Sequence, residues 1–312
     1  MMEINDVMIC NRSDFVALYP EKLITMRTNE HMSDVTWDCD RVMHVSRGTR
    51  VVTPIQLQAS VNTQRITIIV EEDAHITIHD MSLASVNAEH VNCLVEVIVH
   101  DYAQVTFVTL RDQSTFVNER SHLSFHLNNN SMLHYASLLT GNHSMRSSLE
   151  VIMHGEHAQA DVNGVWLLDG NRVIDMTTLQ QHAGAHNTSK LRIKSAVRDH
   201  ARSIYRGTVH VAVDACGTSA AQENKNILLS EHASACSIPN LEALNNDIYC
   251  AHGTAVGQLD AEQLLYMQAR GIAYKQAQRM LLQGFLADAI PQFLDEVMRT
   301  AYTARIAQWL DR

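Results

Sequence analysis

The stretch HITIHD, residues 75–80, carries an apolar side chain at every second position, and HLSFHL at residues 122–127 repeats this pattern. Alternation with a period of two is typical of a β-strand with one dry face, because successive side chains of a strand point to opposite sides. Similar short runs recur between residues 51 and 258, for example CLVEVIV (93–99) and QVTFVTL (104–110). The body of the chain is therefore predicted to consist of many short strands.

Polar turns of similar form separate these strands. EEDAHI (71–76), HDYAQV (100–105) and VRDHAR (197–202) each place polar residues before a small residue and then return to an apolar run. Several successive turns are spaced by about ten to twenty residues, which is typical of a solenoid. No proline occurs between Pro54 and Pro239, as strands paired on both sides require. A parallel β-helix is the favoured interpretation, and a β-sandwich is the alternative.

Beyond Gly257 the pattern becomes helical. Asp260 can cap a helix over AEQLLYMQAR, and Gly271 can end it. A second helix is predicted at 274–287, and a third follows Pro291. The chain thus divides into an unassigned N-terminal cap (1–50), which we expect to close the first edge of the body, a β-helix core (51–258) and a C-terminal helical domain (259–312).

Composition excludes several classes of function. The net charge is -10, and no basic tract could neutralise successive phosphates, so neither nucleic acid nor a membrane is an expected partner. The N-terminus lacks the charge pattern of a signal peptide, which predicts a cytoplasmic protein. The six cysteines form no CxxC pair and predict reduced thiols.

The candidate ligands lie near the end of the body. Cys250 and His252 are two residues apart, so on a strand their side chains share one face. A thiolate and an imidazole suit iron or an iron–sulfur cluster. Cys236 and Cys216 lie one and two turns earlier and could approach Cys250 if they share its face, although a lone cysteine is more often a small buried apolar residue.

The other cysteines and the remaining polar candidates have structural interpretations. Cys10, Cys39 and Cys93 have no cluster of partners nearby. Two pairs of histidines, His75 with His79 and His122 with His126, occupy polar positions of strands and predict a solvated outer face. Asp169, Asp175, His182 and His186 are accompanied by no nucleophile elbow, phosphate-binding loop or zinc motif, so the carboxylates are interpreted as turn residues.

Several segments in the second half of the chain resemble one protein family. They are QQHAGAHNTS (180–189), RDHARSIYRG (198–207), QENKNILLS (222–230), SIPNLEA (237–243), CAHGTAVGQLD (250–260) and QLLYMQARGI (263–272). In this order they resemble the SufB/SufD scaffold proteins of iron–sulfur cluster assembly, and the SufD branch more closely. Ala233 stands where SufB proteins carry a functional cysteine. Gly217, Ser219 and Ala221 replace an arginine, an aspartate and a tyrosine of the family pattern.

The resemblance implies a right-handed parallel β-helix and a helical domain that docks on a SufC-type ATPase. It implies pairing with a SufB-type subunit through the last strands, and a transient iron–sulfur cluster near that junction. His252 occupies the position of a histidine that is important for cluster formation in the family.

These observations lead to one main hypothesis of function. The chain is predicted to be a non-enzymatic, SufD-like scaffold subunit that uses ATP only through its partner, because it has no Walker motif. One alternative is a homodimeric minimal scaffold in which each chain contributes Cys250 and His252. Another is a polysaccharide-active β-helix protein.

Overall fold

The computed structural model describes residues 2–4, 7–14, 38–57, 62–81, 89–112, 117–140 and 143–312. In chain order its strands are β1 Met2–Ile4, β2 Val7–Asn11, β3 Cys39–Val45, β4 Ile55–Leu57, β5 Thr63–Val70, β6 His75–Asp80, β7 His90–Val99, β8 Gln104–Arg111, β9 Val117–Leu127, β10 Met132–Leu139, β11 His143–Met153, β12 Gln159–Leu168, β13 Val173–His182, β14 Thr188–Val197, β15 Arg202–Val211, β16 Thr218–Leu228, β17 Ser234–Ala243 and β18 Ile248–Gly257. Three helices follow: α1 Ala261–Ala269, α2 Tyr274–Ala287 and α3 Glu296–Leu310.

The strands alternate between two sheets. Sheet A has the order β1-β2-β3-β5-β7-β9-β11-β13-β15-β17, and sheet B has the order β18-β16-β14-β12-β10-β8-β6-β4. From β3 onward neighbouring strands are parallel, and each odd strand with the even strand after it forms one coil of a solenoid. The predicted β-helix is therefore confirmed, and the β-sandwich is excluded because its strands would pair antiparallel. A right-handed coil is the hand that nearly all parallel crossovers adopt.

The core lies between the two sheets. From β3 to β16 one face of each strand points inward. The rings of Phe107 and Tyr135 on neighbouring strands of sheet B and of Phe125 in sheet A pack at 5.5–6.2 Å between centroids. Offset and edge contacts at this spacing are favoured by the quadrupoles of aromatic rings. Cys93 is fully buried in this interior, and burial raises the pKa of its thiol to about 12. This location agrees with the structural role predicted for Cys93.

A ladder of hydrogen bonds along one edge joins successive coils. At the turn from sheet A to sheet B, one residue per coil has a positive φ: Gly48, Asp73, Tyr102, Asn130, His157, His186 and Gly217. The backbone N–H of each donates to a carbonyl oxygen in the next coil at 2.7–3.1 Å. Left-handed backbone is costly for most residues other than glycine, asparagine and aspartate. The stacked turns therefore impose this conformation even on Tyr102 and on two histidines.

Two glycines make the stacking of these turns possible. A Cβ at Gly184 would overlap the carbonyl oxygen of Gly155, and a Cβ at Gly155 would overlap the backbone of Asn129. The buried side chain of Asn187 closes the same turn, since its amide nitrogen donates to the carbonyl oxygens of Gly155 and Gly184 at 2.9 and 3.0 Å. Neither glycine can accept a side chain unless the coils move apart.

The described part of the predicted N-terminal cap extends sheet A. The strand β2 pairs antiparallel with β3, and β1 pairs antiparallel with β2. Cys10 on β2 is buried against Val42 and Ile69, in agreement with a structural role. Residues 15–37 of the cap lie outside the described residues.

The three helices begin and end close to the predicted positions. The carboxylate of Asp260 accepts from the backbone N–H groups of Glu262 and Gln263, and Gly271 follows α1 with a positive φ. Within the described residues, no helix combines the length and the apolar character that crossing a membrane requires.

The apolar stripes of the helices pack against the β-solenoid. Instead of forming a separate core of their own, they cover the outer face of sheet B. Leu282, Leu286, Tyr302 and Trp309 join one cluster with the outward side chains of β8, β10, β12 and β14, such as Leu138. An amphipathic pattern fixes which face of a helix is buried but does not identify what covers it.

Polar contacts reinforce this packing. The Arg198 guanidinium lies 4.2 Å from the Trp309 ring centroid, and Lys194 Nζ donates to the Phe285 carbonyl oxygen at 2.8 Å. His79 Nε2 lies 2.7 Å from Asp295 Oδ2. The predicted solvated outer face is therefore wrong for His79, which is buried under the helices, and for His122, which is buried as well.

Substitution of Gly184 by alanine tests the close stacking of the turns. We expect Gly184→Ala to lower the free energy of unfolding by about 2 kcal/mol, because the new Cβ must displace the backbone of the preceding turn. Urea denaturation measures this change.

Gly284 provides the matched control, since its Cβ position in α2 is open. Gly284→Ala should leave stability unchanged or raise it by up to about 1 kcal/mol. Equal stabilities for the two variants would contradict the stacking argument.

Candidate functional site

The last coil brings Cys250 and His252 to one face of β18. In the register of sheet B, Cys250 is opposite Ala220 and His252 is opposite Gln222. Ala220 and Gln222 both point into the interior of the solenoid, where they are buried. The thiol and the imidazole therefore extend the interior face of sheet B by one strand, at the C-terminal end of the solenoid.

These two side chains have different surroundings. Cys250 packs partly buried against a small cluster that includes Val211, Ala220 and Leu241, whereas His252 is exposed. Burial raises the pKa of the Cys250 thiol, and a hydrogen bond with the backbone of Ala220 lowers it by less. The thiol is therefore protonated at neutral pH in the isolated chain, and a metal would have to displace that proton.

The two other cysteines considered as ligands do not join this pair. Cys236 lies on β17 opposite Ile204, on the exposed outer face of sheet A, whereas Cys250 faces the interior from sheet B. Cys216 lies in the turn between β15 and β16, where its carbonyl oxygen accepts a hydrogen bond from the backbone N–H of His186 in the preceding coil. Of the four residues considered as ligands, Cys250 and His252 are the two that share a face.

A thiol and an imidazole are too few donors for an iron–sulfur cluster. Such clusters are held by four protein ligands, and within the described ranges no group of three or more histidine, cysteine, aspartate or glutamate side chains could hold a metal ion. The donor types suit iron, but the remaining ligands must come from another molecule.

The end of the solenoid is open to such a molecule. Both β17 and β18 are edge strands with one neighbour each. Tyr249 is 73% exposed and Ile238 is 51% exposed on these strands, and Leu244 in the turn between them is exposed as well. Exposed apolar edge strands are templates for pairing with another chain unless something covers them.

The interior beneath the last coil is polar, which the sequence analysis missed. Gln222, Asn224 and Asn226 alternate along β16, so all three point inward, and each is at most 3% exposed. Both polar atoms of the Gln222 amide lack a hydrogen-bond partner among the described residues. The spacing QxNxN at residues 222–226 is a signal that could have revealed this feature, because apolar residues are expected at inward positions.

The polar residues between 169 and 186 form no common site. Asp169 accepts from Arg198 across adjacent turns, Asp175 contacts Arg206 on the outer face of sheet A, and His182 is buried in the interior. His186 is a positive-φ turn residue that stacks on His157 at 4.9 Å. The turn interpretation is correct for Asp169, whereas Asp175 lies on strand β13.

A second exposed surface lies on the helices. Leu264 alone is buried in α1, and the neighbouring Leu265 and Tyr266 are 68% and 61% exposed. Met280 of α2 is exposed as well. We refer to these three exposed side chains, Leu265, Tyr266 and Met280, as the helical surface.

Comparison with known proteins identifies the class to which this fold and site belong. Residues 54–285 match the family model described as SUF system FeS cluster assembly, SufBD core domain. Because this match covers most of the chain, the chain belongs to the SufBD family of iron–sulfur cluster assembly proteins.

Individual relatives agree with this assignment. The chain is 31% identical over 174 residues to the iron–sulfur cluster assembly protein SufD of Escherichia coli, a match that covers 56% of this chain and 41% of the relative. It is 26% identical over 260 residues to SufD of Bacillus subtilis, covering 80% of this chain and 57% of the relative. A SufBD family protein of Mycobacterium tuberculosis is 27% identical over 285 residues, a match that covers 86% of this chain and 70% of the relative.

The chain thus spans about two fifths of the length of the Escherichia coli SufD protein that it matches. The resemblance to the SufB/SufD family is confirmed, and the polysaccharide-active alternative gains no support from these matches.

Buried His182 makes stability depend on pH. Burial lowers the pKa of its imidazole to about 4, compared with about 6.5 in an unfolded chain. Between these values the unfolded state binds more protons than the folded state. The stability associated with the neutral, buried imidazole is therefore fully present above pH 6.5 and is lost as pH falls towards 4. From pH 7 to pH 5 we expect this residue alone to remove about 2 kcal/mol from the free energy of unfolding.

Urea denaturation of the protein and of His182→Gln at both pH values measures this contribution. The variant retains a group that can bond to Ser189, whose Oγ lies 2.8 Å from His182 Nε2. Its stability should fall by about 2 kcal/mol less over the same pH interval. Parallel pH dependences would show that His182 does not carry this effect.

Proposed function

We propose that this protein is a SufD-like, non-enzymatic scaffold subunit on which an iron–sulfur cluster is assembled at the end of the β-solenoid. The observation that supports this most directly is the pair Cys250 and His252, which share one face of the edge strand β18, with the imidazole exposed. The cluster is the cargo of this site, and a second subunit supplies the donors that the chain lacks.

The proposed second subunit is a SufB-type protein that pairs with the last coil. Pairing along β17 or β18 would satisfy the unpaired backbone groups of the edge, and exposed apolar residues such as Tyr249 would become buried. The same contact would bring the partner's ligands close to Cys250 and His252.

A SufC-type ATPase is the partner proposed for the helical surface. Exposed leucine, tyrosine and methionine side chains on neighbouring helices are typical anchors for a partner. Only residues 258–260 separate β18 from α1. Movement of α1 by the ATPase would therefore act directly on the strand that carries His252, and ATP would be used by the partner alone.

Replacement of His252 by alanine tests the cluster site. We expect His252→Ala to form the complex with the SufB-type and SufC-type partners normally, because an exposed side chain is removed, and to lose cluster assembly. Co-purification followed by iron and sulfide analysis measures both properties.

Cys236→Ala is the matched control for this experiment. It removes an exposed thiol from the outer face of β17 in sheet A and should retain both properties. Normal iron and sulfide contents in His252→Ala would refute the proposed site.

Replacement of Leu265 by aspartate tests the helical surface. A charge at the centre of an apolar contact should weaken binding of the ATPase at least tenfold, and the fold should be retained because Leu265 is exposed. Isothermal titration with the purified ATPase measures this affinity.

Val52 provides the control, since it is also exposed and apolar but lies at the other end of the solenoid. Val52→Asp should bind like the unaltered protein. Equal affinities of the Leu265 variant and the control would place the ATPase elsewhere.

The open edge also favours a second candidate, a homodimeric scaffold. Two copies that pair through β17 and β18 would bring together two thiols and two imidazoles, which is a complete set of four ligands. Anaerobic reconstitution of the chain alone with iron and sulfide distinguishes the candidates. Visible absorbance of a cluster on a dimer supports the homodimer, and a colourless monomer supports the heteromeric scaffold.

A further inference from the structure

Gln222 lies one strand away from the proposed ligand His252 in sheet B. The two residues are opposite each other on the parallel strands β16 and β18, and both belong to the inward-facing set. Backbones of neighbouring strands are about 4.8 Å apart. A glutamine side chain at this position can therefore reach an imidazole on the next strand.

The amide of Gln222 is buried and unsatisfied. The residue is 2% exposed, and neither Nε2 nor Oε1 has a hydrogen-bond partner among the described residues. A buried amide without hydrogen bonds costs roughly 1–3 kcal/mol. A buried group that is left without a hydrogen-bond partner in a native protein often has a functional role in which the partner is supplied.

The surrounding residues hold the amide in place. Gly207 faces Gln222 from sheet A, and a Cβ there would overlap both Gln222 Nε2 and the Tyr205 hydroxyl. That hydroxyl already has a partner, Thr178 Oγ1, at 2.8 Å. The absence of a side chain at Gly207 thus provides the space in which the Gln222 amide lies.

We propose that Gln222 is a positioning residue for His252. The two side chains are not hydrogen-bonded in this structure, and rotation of the exposed imidazole towards the interior brings a ring N–H to the amide oxygen of Gln222, which thereby fixes the tautomer. The Oε1 atom accepts from one ring N–H, so that the other ring nitrogen presents its lone pair to the metal. Ligating histidines are commonly oriented through their second nitrogen, and loss of such a partner typically weakens metal binding by 10–100-fold. This inference rests on the proposed function only in the assumption that His252 is a ligand.

The tautomer of His252 can be measured without any metal. Side-chain ¹⁵N chemical shifts at one fixed pH, assigned by comparison with His252→Gln, should show a single tautomer in the unaltered chain and a mixture in Gln222→Leu. Gln222→Glu retains an acceptor oxygen at the same position and should restore the single tautomer. Asn226→Leu is the matched control, because it also removes a buried amide from β16 but lies opposite Val256.

Binding of Co²⁺, which reports on thiolate and imidazole ligands through its absorbance, supplies the second measurement. Gln222→Leu should bind Co²⁺ at least tenfold more weakly than Asn226→Leu. Gly207→Ala gives an independent variant, since its new Cβ displaces the amide without removing it.

The outcomes separate this inference from the proposed function. An identical His252 tautomer in the unaltered chain and in Gln222→Leu would overturn the role of Gln222, whatever the metal affinity. A tautomer that depends on Gln222, in a chain whose Co²⁺ absorbance does not depend on His252, would support the positioning contact and refute His252 as a ligand.

Discussion

The hydrogen bond that each turn donates to the next coil is the constraint on which this molecule depends. It recurs once per coil, from Gly48 to Gly217, and it requires a left-handed residue at the same place each time. Stacked turns keep the parallel strands in register, and register determines which side chains meet inside. A shift of one residue would move every inward side chain to the outer face, and the alignment of Gln222 with His252 would be lost.

The two ends of the β-solenoid and the outer face of sheet B are covered differently. The described N-terminal strands extend sheet A antiparallel, and the helices cover much of the outer face of sheet B through contacts such as that of Arg198 with Trp309. The final coil consists of two edge strands with exposed apolar residues, and the interior beneath it is polar. The proposed cluster site thus lies at the end of the β-solenoid, where regular strand pairing stops.

Much of this arrangement could be predicted from local patterns in the sequence. Alternating residues in stretches such as HITIHD identified the strands, Asp260 and Gly271 identified the ends of α1, and the spacing of Cys250 and His252 placed both on one face. Each of these features depends on a few adjacent residues, so the local sequence alone determines it.

Features that depend on how distant segments pack could not be predicted in this way. The stripe on α3 gave no indication that it would cover sheet B, and this covering is the reason that His79 is buried. The outward orientation of Cys236 follows from the position at which β17 begins, which the alternation of neighbouring residues does not specify. The Gln222 amide becomes notable only once the space beside Gly207 is known.

The repeating turn also bears on how proteins of this architecture can vary in length. Because every coil offers its neighbour the same donor and the same acceptor, one complete coil can be inserted or deleted in the middle without changing the contacts at either end. Each such event would alter the rod by about 4.8 Å and would move the thiol and imidazole as a unit. The fold does not tolerate mutations that add or remove part of a coil in the same way. The length of the β-solenoid should therefore change in evolution by whole coils.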